Sequence, residues 1–430
     1  MPWAVGQVST ALHVIIETAN RYERLRGTVS SSVGAAPATT TETPPSTPAL
    51  LSAMLRAATK ISDLIFSPGR PPIVEQDGRL LAVKIQGLPS LTADDTQRIA
   101  ADLIGNNKHA LDTLREQGAC DISYGLPGNA RFRVNVFKQR GSCAIVMRVI
   151  PGAIPTFAAL KLPQELVAIT ELRTGIVLVT GPTGSGKSST LAAIIDLINE
   201  TRSYHIVTIE DPIEFLHPHK KCVIHQRELH SDTPSFALAL RAALRQAPKV
   251  ILVGEMRDKE TIEIALEAAE TGHLVLSTLH TIDAAKTVER IVGVFPLAEQ
   301  KIIHSRLAKS FRYIVSQRLI PRKEGTGRVA AIEILKSTLR TREYVDRGEQ
   351  EGKTLLDAMR DGDTEGMQHF DGEIEKLIRE GAIDAETGLA YSTNPGNLRL
   401  VLADLLDPEK GSVSAPKVPE SKDGELEIER

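Results

Sequence analysis

The chain has 430 residues, a length that allows two or three domains, each with its own hydrophobic core. It contains 51 Lys and Arg against 54 Asp and Glu, and the resulting formal net charge of −3 gives no support to nucleic-acid binding over the whole chain. Its three cysteines are far apart, which argues against a disulfide framework and a Cys-based zinc site, and no apolar run approaches the ~20 residues needed to span a bilayer. We therefore expect a cytoplasmic protein that does not bind nucleic acid directly.

The two ends of the chain differ in composition from its middle. Residues 1–27 carry apolar side chains at roughly helical spacing without a basic segment ahead of them, so they make a poor secretory signal and predict either a short docking helix or a weakly ordered leader. Residues 28–48 are rich in Ser, Thr, Ala and Pro, which predicts a flexible linker. Residues 408–430 are charged and contain proline, which predicts a disordered tail.

Residues 49–150 predict a mixed α+β domain. The segment 50–66 has the pattern of an amphipathic helix that leads into a strand, and an Asp-Gly pair at 77–78 between apolar runs predicts a β-hairpin turn. Thr92 is a candidate N-cap for the helical pattern that follows it. Strict alternation over 131–136 predicts another strand of this domain.

Residues 151–407 predict an α/β domain. Continuous apolar runs of strand length alternate with helical patterns, and these runs lie at 175–180, 205–209, 249–254 and 273–279. Strands that are apolar throughout are typical of a largely parallel sheet covered by helices on both faces. Beyond residue 282 the pattern is mostly helical, with one further strand expected at 328–335.

The segment GPTGSGKS matches the phosphate-binding pattern G-x-x-x-x-G-K-[ST], and it lies between an apolar strand and a helix, where that pattern functions. Backbone N–H groups of such a loop bind phosphate oxygens, while the lysine reaches the β- and γ-phosphates and the hydroxyl binds Mg²⁺. We therefore expect nucleotide contacts from Gly181, Pro182, Thr183, Gly184, Ser185, Gly186, Lys187, Ser188 and Ser189, with Ser188 on Mg²⁺. The chain has no convincing Asn-Lys-x-Asp element for guanine, which favours ATP.

Acidic side chains follow two of the apolar strands. One strand is followed by Glu255, and another by Glu210, Asp211 and Glu214. Carboxylates at these strand ends can order Mg²⁺-bound water or accept a proton from the attacking water. We favour Glu214 and Glu255 as the two mechanistic acids, with Glu255 acting on Mg²⁺ through water, and the pattern does not decide which of them is the general base.

Two histidines flank the strand at 273–279. His280 follows its carboxyl end, where open α/β sheets bind their ligands, so we expect His280 to sense the γ-phosphate. His273 precedes the strand at the opposite end, which suits a structural or intersubunit role.

Four arginines cluster just before the α/β domain, at Arg131, Arg133, Arg140 and Arg148. An arginine that reaches the γ-phosphate from outside the phosphate-binding loop would neutralise charge in the transition state. Without further context, the same cluster is also consistent with a basic strand surface.

Five stretches resemble, in order, motifs of the secretion-superfamily hexameric ATPases, specifically the type IV pilus retraction ATPases of the PilT family: GPTGSGKSS, TIEDPIEF, VILVGEMRD, AAETGHLVLSTLHT and AAKTVERIVGVFP. The resemblance covers about residues 50–400. It implies a PAS-like N-terminal domain, a RecA-like C-terminal P-loop ATPase domain, and a homohexameric ring with ATP bound between neighbouring domains. It further implies that the nucleotide is approached by Arg131, Arg133 and Arg148, and that the Asp-box, Walker-B and His-box positions are Glu214, Glu255, His273 and His280.

The resemblance favours the retraction branch because the part before the ATPase domain is short and the three cysteines cannot supply the tetracysteine zinc segment that assembly and type II secretion relatives usually carry. It implies a motor at the cytoplasmic face of the inner membrane that acts through a membrane platform protein. The segments 246–249 and 338–345 differ from the family pattern. Two alternatives therefore stay open: a type II secretion, pilus-assembly or DNA-uptake ATPase, and a nucleotide-binding accessory subunit that does not hydrolyse ATP.

Overall fold

The computed structural model describes residues 44–150 and 152–406. Within them the chain forms two sheets, one on each side of residue 151. The expected leader, most of the expected linker and the expected tail lie outside the described residues. The first helix of the described residues starts at Thr47, within the last two residues of the expected linker, and the buried Thr47 side chain donates a hydrogen bond to Asp102.

The first sheet has six strands in the order β3-β2-β1-β6-β5-β4, and every neighbouring pair is antiparallel. Its strands are β1 (Ile61–Phe66), β2 (Ile73–Gln76), β3 (Arg79–Ala82), β4 (Ala119–Leu126), β5 (Ala130–Gln139) and β6 (Ser142–Ile150), and its helices are α1 (Thr47–Ala57), α2 (Ala93–Ile104) and α3 (Lys108–Gln117). The β2–β3 hairpin and the strand over 131–136 are confirmed. The Thr92 cap is also confirmed, since Thr92 and Asp95 form a capping box.

Alternation along β5 separates its two faces. Phe132, Val134 and Val136 are buried in the hydrophobic core of the first domain. Arg131 and Arg133 therefore share the opposite face, because successive side chains of a strand point to opposite sides. That face is turned toward the second domain.

The second sheet has seven strands in the order β13-β12-β7-β11-β10-β8-β9. Its neighbours are parallel except for the antiparallel pair β12–β13. The strands are β7 (Gly175–Thr180), β8 (His205–Glu210), β9 (Val223–Glu228), β10 (Val250–Val253), β11 (Leu274–Leu279), β12 (Phe311–Pro321) and β13 (Arg328–Lys336). The expected α/β class with a largely parallel sheet is confirmed.

The helices of the second domain cover both faces of its sheet. They are α4 (Phe157–Leu160), α5 (Lys187–Thr201), α6 (Phe236–Ala243), α7 (Lys259–Glu270), α8 (Ala284–Gly293), α9 (Leu297–Ser310), α10 (Leu339–Arg347), α11 (Leu355–Asp361), α12 (Phe370–Arg379), α13 (Ala385–Tyr391), α14 (Pro395–Val401) and α15 (Ala403–Leu406), with 3-10 turns at Gln164–Glu171 and Asp363–Glu365. Ile176 and Leu178 of β7 pack into one core, whereas Val177 and Val179 pack into the other. The central strand β7 is thus buried on both sides, which fixes the position of the loop that follows it.

The expectation that residues beyond 282 are mostly helical apart from 328–335 is wrong at β12, an interior strand that lies between β7 and the edge strand β13. Polar residues interrupt its apolar run, and the structure shows why they are tolerated. Ser316 is buried and accepts a hydrogen bond from Thr180 (3.0 Å), while the Gln317 amide donates to Thr190 (3.0 Å). Polar side chains that have hydrogen-bond partners can be buried in an interior strand such as β12.

No helix in the described part of the chain is long and apolar enough to cross a membrane.

Candidate nucleotide-binding site

The loop that follows β7 has the backbone shape of a phosphate cradle. Gly181, Gly184 and Gly186 all have positive φ angles, at 142°, 78° and 93°. Gly181 is also packed tightly, because a Cβ atom at that position would lie 2.4 Å from the carbonyl oxygen of Gln317. A Cβ at Gly184 or Gly186 would meet nothing within 4 Å, so the space in front of these two residues is open to a ligand.

Helix α5 begins directly at this loop. Its N-cap is Gly186, which has no side chain to bond the first amides of the helix. The N–H groups at the start of a helix otherwise need partners, and the helix dipole makes that end favourable for an anion. The loop and the start of α5 therefore fit a phosphate group.

Lys187 is the first residue of α5 and is 8% exposed. Its Nζ donates to the carbonyl oxygens of Gly181 and Pro182, both at 3.0 Å, and this leaves an ammonium donor for a phosphate oxygen. Burial lowers the pKa of Lys187, and the carboxylates of Glu214 and Glu255 oppose that shift. Both predicted acids thus lie within electrostatic reach of the lysine.

A cavity of about 780 Å³ opens in front of the loop. The elements that line it include the phosphate-binding loop, the carboxyl ends of β8, β10 and β11, one strand of the first domain, and residues of β12, β13 and α6. The predicted site residues among its lining are Thr183, Gly184, Gly186, Lys187, Ser188, Ser189, Glu214, Glu255, His280 and Arg133. Residues from widely separated parts of the sequence therefore meet in a single cavity.

Glu255 lies just beyond β10, and its carboxylate is near Arg257 and His280. Its Oε2 atom is 2.6 Å from a guanidinium nitrogen of Arg257 and 3.7 Å from Nε2 of His280. The strand end beneath it is held because Thr278 donates to the carbonyl of Gly254 (2.6 Å). Burial lowers the pKa of His280, the nearby Lys187 charge acts in the same direction, and Glu255 opposes them. A neutral imidazole at this position can donate one hydrogen bond and accept another.

The acids after β8 have different surroundings. Glu210 is buried, and its Oε1 accepts hydrogen bonds from Thr208 (2.6 Å) and Gln226 (3.2 Å). Burial raises the pKa of Glu210, and its hydrogen bonds oppose that shift. Its Oε2 accepts from the backbone N–H of Glu214 (3.3 Å), whose own side chain is exposed at the cavity. Glu210 thus supports the loop, and Glu214 is the acid that is available to a ligand.

The three arginines of the first domain that were predicted to approach the nucleotide have different surroundings. Arg133 lines the cavity. Arg131 instead forms a salt bridge with Glu228 of the second domain (2.5 Å). Arg148 pairs with Asp63 of its own sheet (3.0 Å) and is largely exposed. Of the three, only Arg133 lines the cavity in front of the phosphate-binding loop, and the nucleotide contacts of all three stay predictions.

His273 does not line the cavity in this chain. It lies before the amino end of β11, and its Nδ1 is 3.0 Å from the carbonyl oxygen of Ala268. As expected from the sequence, His273 lies at the opposite end of β11 from His280. The predicted role of His273 in the His box stays a prediction.

Several cavity residues were not predicted as site residues. Arg257 and Arg328 add positive charge, and Gly254 lets β10 approach β8, because a Cβ there would lie 3.2 Å from the carbonyl of Ile209. His217 also lines the cavity, and burial lowers its pKa to about 4. The quoted motif VGEMRD contains Arg257, whose spacing of two from a strand-ending Glu255 could have drawn attention to it.

The site fits Mg²⁺ only together with a phosphate ligand. The described residues contain no group of three or more His, Cys, Asp or Glu side chains that could hold a metal ion. Mg²⁺ is commonly held by one or two protein oxygens, water and substrate phosphates. The Ser188 hydroxyl, with Glu255 acting through water, matches that pattern.

Comparison with known proteins agrees with this architecture. The family described as "Type II/IV secretion system protein" matches residues 120–382. The chain is 44% identical over 336 residues to the type IV pilus retraction ATPase PilT of Pseudomonas aeruginosa, a match that covers 78% of this chain and 95% of that protein. It is 46% identical over 307 residues to the twitching motility protein of Neisseria gonorrhoeae, which covers 71% and 81% respectively.

A solved structure gives the same result for the fold. The crystal structure of the pilus retraction motor PilT with bound ADP superposes with a TM-score of 0.72 at 42% identity, and the match covers 82% of this chain and 98% of that one. The RecA-like α/β domain and the N-terminal domain expected from the sequence are therefore confirmed. The chain belongs to the type II/IV secretion system protein family, and within it to the PilT family of type IV pilus retraction ATPases.

Proposed function

We propose that the chain is a Mg²⁺-dependent ATPase that works as a homohexameric motor and powers type IV pilus retraction at the cytoplasmic face of the inner membrane. The observation that carries the ATPase part is the single cavity where Lys187, Ser188, Glu214, Glu255 and His280 converge. The retraction part rests on the relatives, which are named as a pilus retraction ATPase and a twitching motility protein.

In this proposal the phosphate chain of ATP lies across the glycine loop and the first amides of α5. Lys187 and Ser188 line the cavity, where Lys187 would bond the β- and γ-phosphate oxygens and the Ser188 hydroxyl would hold Mg²⁺. Bound Mg²⁺ would withdraw charge from the phosphate oxygens. Arg133 and Arg257 add positive charge at the same cavity, which suits a site for a polyanion.

Hydrolysis requires a water molecule held opposite the leaving phosphate. Glu255, which pairs with Arg257, and Glu214, on the loop after β8, are the two groups able to orient that water and receive its proton. His280, 3.7 Å from Glu255, would bond the γ-phosphate while it is present and release that bond after cleavage. Loss of the γ-phosphate would in this way be sensed at the end of β11.

We further propose that the resulting domain movement passes to a membrane platform protein, which returns pilin subunits to the inner membrane. This part of the proposal rests on the family alone. The chain itself contributes the elements that such a movement needs, a nucleotide cavity lined by Arg133 of one domain and the loop of the other.

Lys187→Ala tests the ATPase part. We expect turnover to fall by at least about a hundredfold, because the variant loses a charge that the transition state needs. Lys286→Ala is the matched control, since Lys286 is exposed and its ammonium group pairs, within residues 44–150 and 152–406, only with Glu289 on its own helix. Full activity of Lys187→Ala would refute the proposal, and a wild-type protein that binds nucleotide without turnover would indicate an accessory subunit.

Deletion of the gene tests the machine that the motor serves. A retraction motor predicts cells with excess surface pili and no twitching motility. Cells without pili would instead indicate an assembly ATPase, and normal pili with a secretion defect would indicate type II secretion.

A further inference from the structure

Glu228, at the end of the edge strand β9, lies where the two domains meet. It is 5% exposed, and it was not among the predicted site residues. Its Oε2 atom accepts hydrogen bonds from the Arg131 guanidinium (2.5 Å) and the Ser123 hydroxyl (2.9 Å), both of which belong to the first domain. The same oxygen accepts from the backbone N–H of Ile213 (3.0 Å) in the second domain. One carboxylate oxygen therefore joins the first domain to the loop that carries Glu214.

Two carboxylates, those of Glu210 and Glu228, anchor that loop by accepting hydrogen bonds from its backbone, and they differ in what holds them. Glu210 and Glu228 are paired neighbours in the β8–β9 register, so their side chains lie on the same face. Glu228 accepts from the N–H of Ile213, and Glu210 accepts from the next amide, that of Glu214. Glu210 is held by groups of its own domain, whereas Glu228 is held by the first domain. Only the Glu228 anchor can respond to the position of the first domain.

Further contacts around Glu228 join the turn after β9 to the first domain. Its backbone N–H donates to the Asp232 carboxylate (2.8 Å), which fixes the turn after β9. On that turn the imidazole of His230 stacks on His109 of the first domain, with ring centroids 4.5 Å apart and planes at 13°. A buried carboxylate that loses its arginine partner is strongly disfavoured. Separation of the domains would remove two of the three donors on Oε2 of Glu228 and would leave the contact with the Ile213 amide without its support from the first domain.

We propose that Glu228 is a positioning residue that couples the contact between the two domains to the placement of Glu214. Water activation is then complete only when Arg131 and Ser123 of the first domain engage Glu228. Arg131 acts on turnover through Glu228 and the 211–215 loop. This inference rests on the proposed ATPase activity, and it adds a device that makes hydrolysis depend on domain arrangement.

Turnover and nucleotide affinity of Arg131→Ala, Glu228→Gln and the double variant, measured on the full chain, test the coupling. We expect each single change to lower kcat by about tenfold or more, while the affinity for a fluorescent ADP analogue changes by less than about threefold. The double variant should be no slower than the slower single variant, because both changes break the same connection. Arg115→Ala is the control, since Arg115 forms an exposed pair with Asp112 in the same domain.

Amide hydrogen exchange measures opening of the 211–216 loop directly and independently of turnover. Arg131→Ala should speed exchange across residues 211–216 by several-fold, although Arg131 reaches that loop only through Glu228. Ser123→Ala removes a neutral donor from the same oxygen and should produce a smaller acceleration, which keeps the test open if Glu228→Gln fails to fold.

Three results would overturn the inference: wild-type kcat in Glu228→Gln, multiplied losses in the double variant, or unchanged exchange in Arg131→Ala. A loss of nucleotide affinity in Arg131→Ala with multiplied losses would instead show that Arg131 contacts the nucleotide directly. If the wild-type chain does not hydrolyse ATP, the proposed function fails, and the exchange measurement still decides whether the domains are coupled through Glu228.

Discussion

Histidines lie at both ends of the parallel strands of the seven-stranded sheet. At the carboxyl edge, where the parallel strands end, and at the amino edge, where they begin, these histidines have different partners. At the carboxyl edge His280 lies beside Glu255 and Lys187 at an open cavity. At the amino edge His205 bonds the carbonyl of Gln246 (2.9 Å) and the ring of His225 (2.9 Å). The side chains are the same, but their ring nitrogens are already occupied at the amino edge.

His273 shows the same pattern at one of its two ring nitrogens, because its Nδ1 faces the carbonyl of Ala268. The difference between the edges comes from the chain path. At the carboxyl edge the strands run into loops and the start of α5, so backbone N–H groups and side chains point into one space. Residue type alone therefore does not make a site, and the end of the strand on which a residue lies decides whether it is available.

The largest effect expected at the carboxyl edge is that of Glu255→Gln. The amide keeps the shape of the side chain and removes the negative charge that orients water, so turnover should fall by roughly 10²–10³-fold while nucleotide still binds. Steady-state ATPase rates and binding of a fluorescent ADP analogue measure the two properties. Glu289→Gln, on an exposed helix face, is the control. Activity within about twofold of wild type would leave Glu214 as the sole acid.

Substitution of one glycine at each edge tests the comparison, because both glycines have a positive φ angle but only one is tightly packed. Gly181→Ala would place a Cβ 2.4 Å from the carbonyl of Gln317, and we expect it to lower the free energy of unfolding by about 2–4 kcal/mol and to weaken nucleotide binding. Gly272, before β11 at the amino edge, also has a positive φ of 109° but open space around it. Gly272→Ala should cost about 1 kcal/mol and leave nucleotide affinity unchanged. Equal effects of the two changes, measured by denaturant unfolding, would contradict the tight packing of the loop.

The two histidines that flank β11 give the most direct test. His280→Asn should lower kcat by about tenfold at every protein concentration, because its partners are in the cavity. His273→Asn should act through assembly, so its specific activity should recover as the protein concentration is raised. Rates over a dilution series separate the two cases. A concentration-independent loss in His273→Asn would place that residue at the chemistry of a neighbouring subunit.

Most of the carboxyl edge could be predicted from the sequence. The apolar strands β7, β8, β10 and β11 stand out because they are buried on both faces, and the phosphate-binding pattern fixes the loop after β7. Parallel strands end at one edge, so Glu255 and His280 could be placed together without coordinates.

The parts that escaped prediction depend on contacts between distant residues. Strand β12 contains the buried residues Ser316 and Gln317, whose side chains find hydrogen-bond partners in Thr180 of β7 and Thr190 of α5. Glu228 resembles a surface acid in the run HQREL, and its partner Arg131 lies 97 positions earlier in the chain. Local patterns carry no signal for pairs of this kind.

The smallest expected effect concerns His217, a cavity-lining histidine that differs from those of the amino edge because its Nδ1 is buried without a partner in the described part of the chain. Burial lowers its pKa to about 4, below the ordinary 6.5 that it regains on unfolding. Between these two values the unfolded chain binds more protons, so this histidine's contribution to stability is present above about pH 6.5 and is lost as the pH falls toward 4.

His217→Gln removes the titrating group, and the variant should therefore lose less stability than wild type between pH 7.5 and pH 5 (roughly 2–4 °C less in Tm). Thermal unfolding at both pH values, without nucleotide, measures the difference. A variant whose Tm falls as steeply as that of wild type would show that His217 is charged in the folded protein, and the carboxyl edge would then hold a cation where we expect a neutral ring.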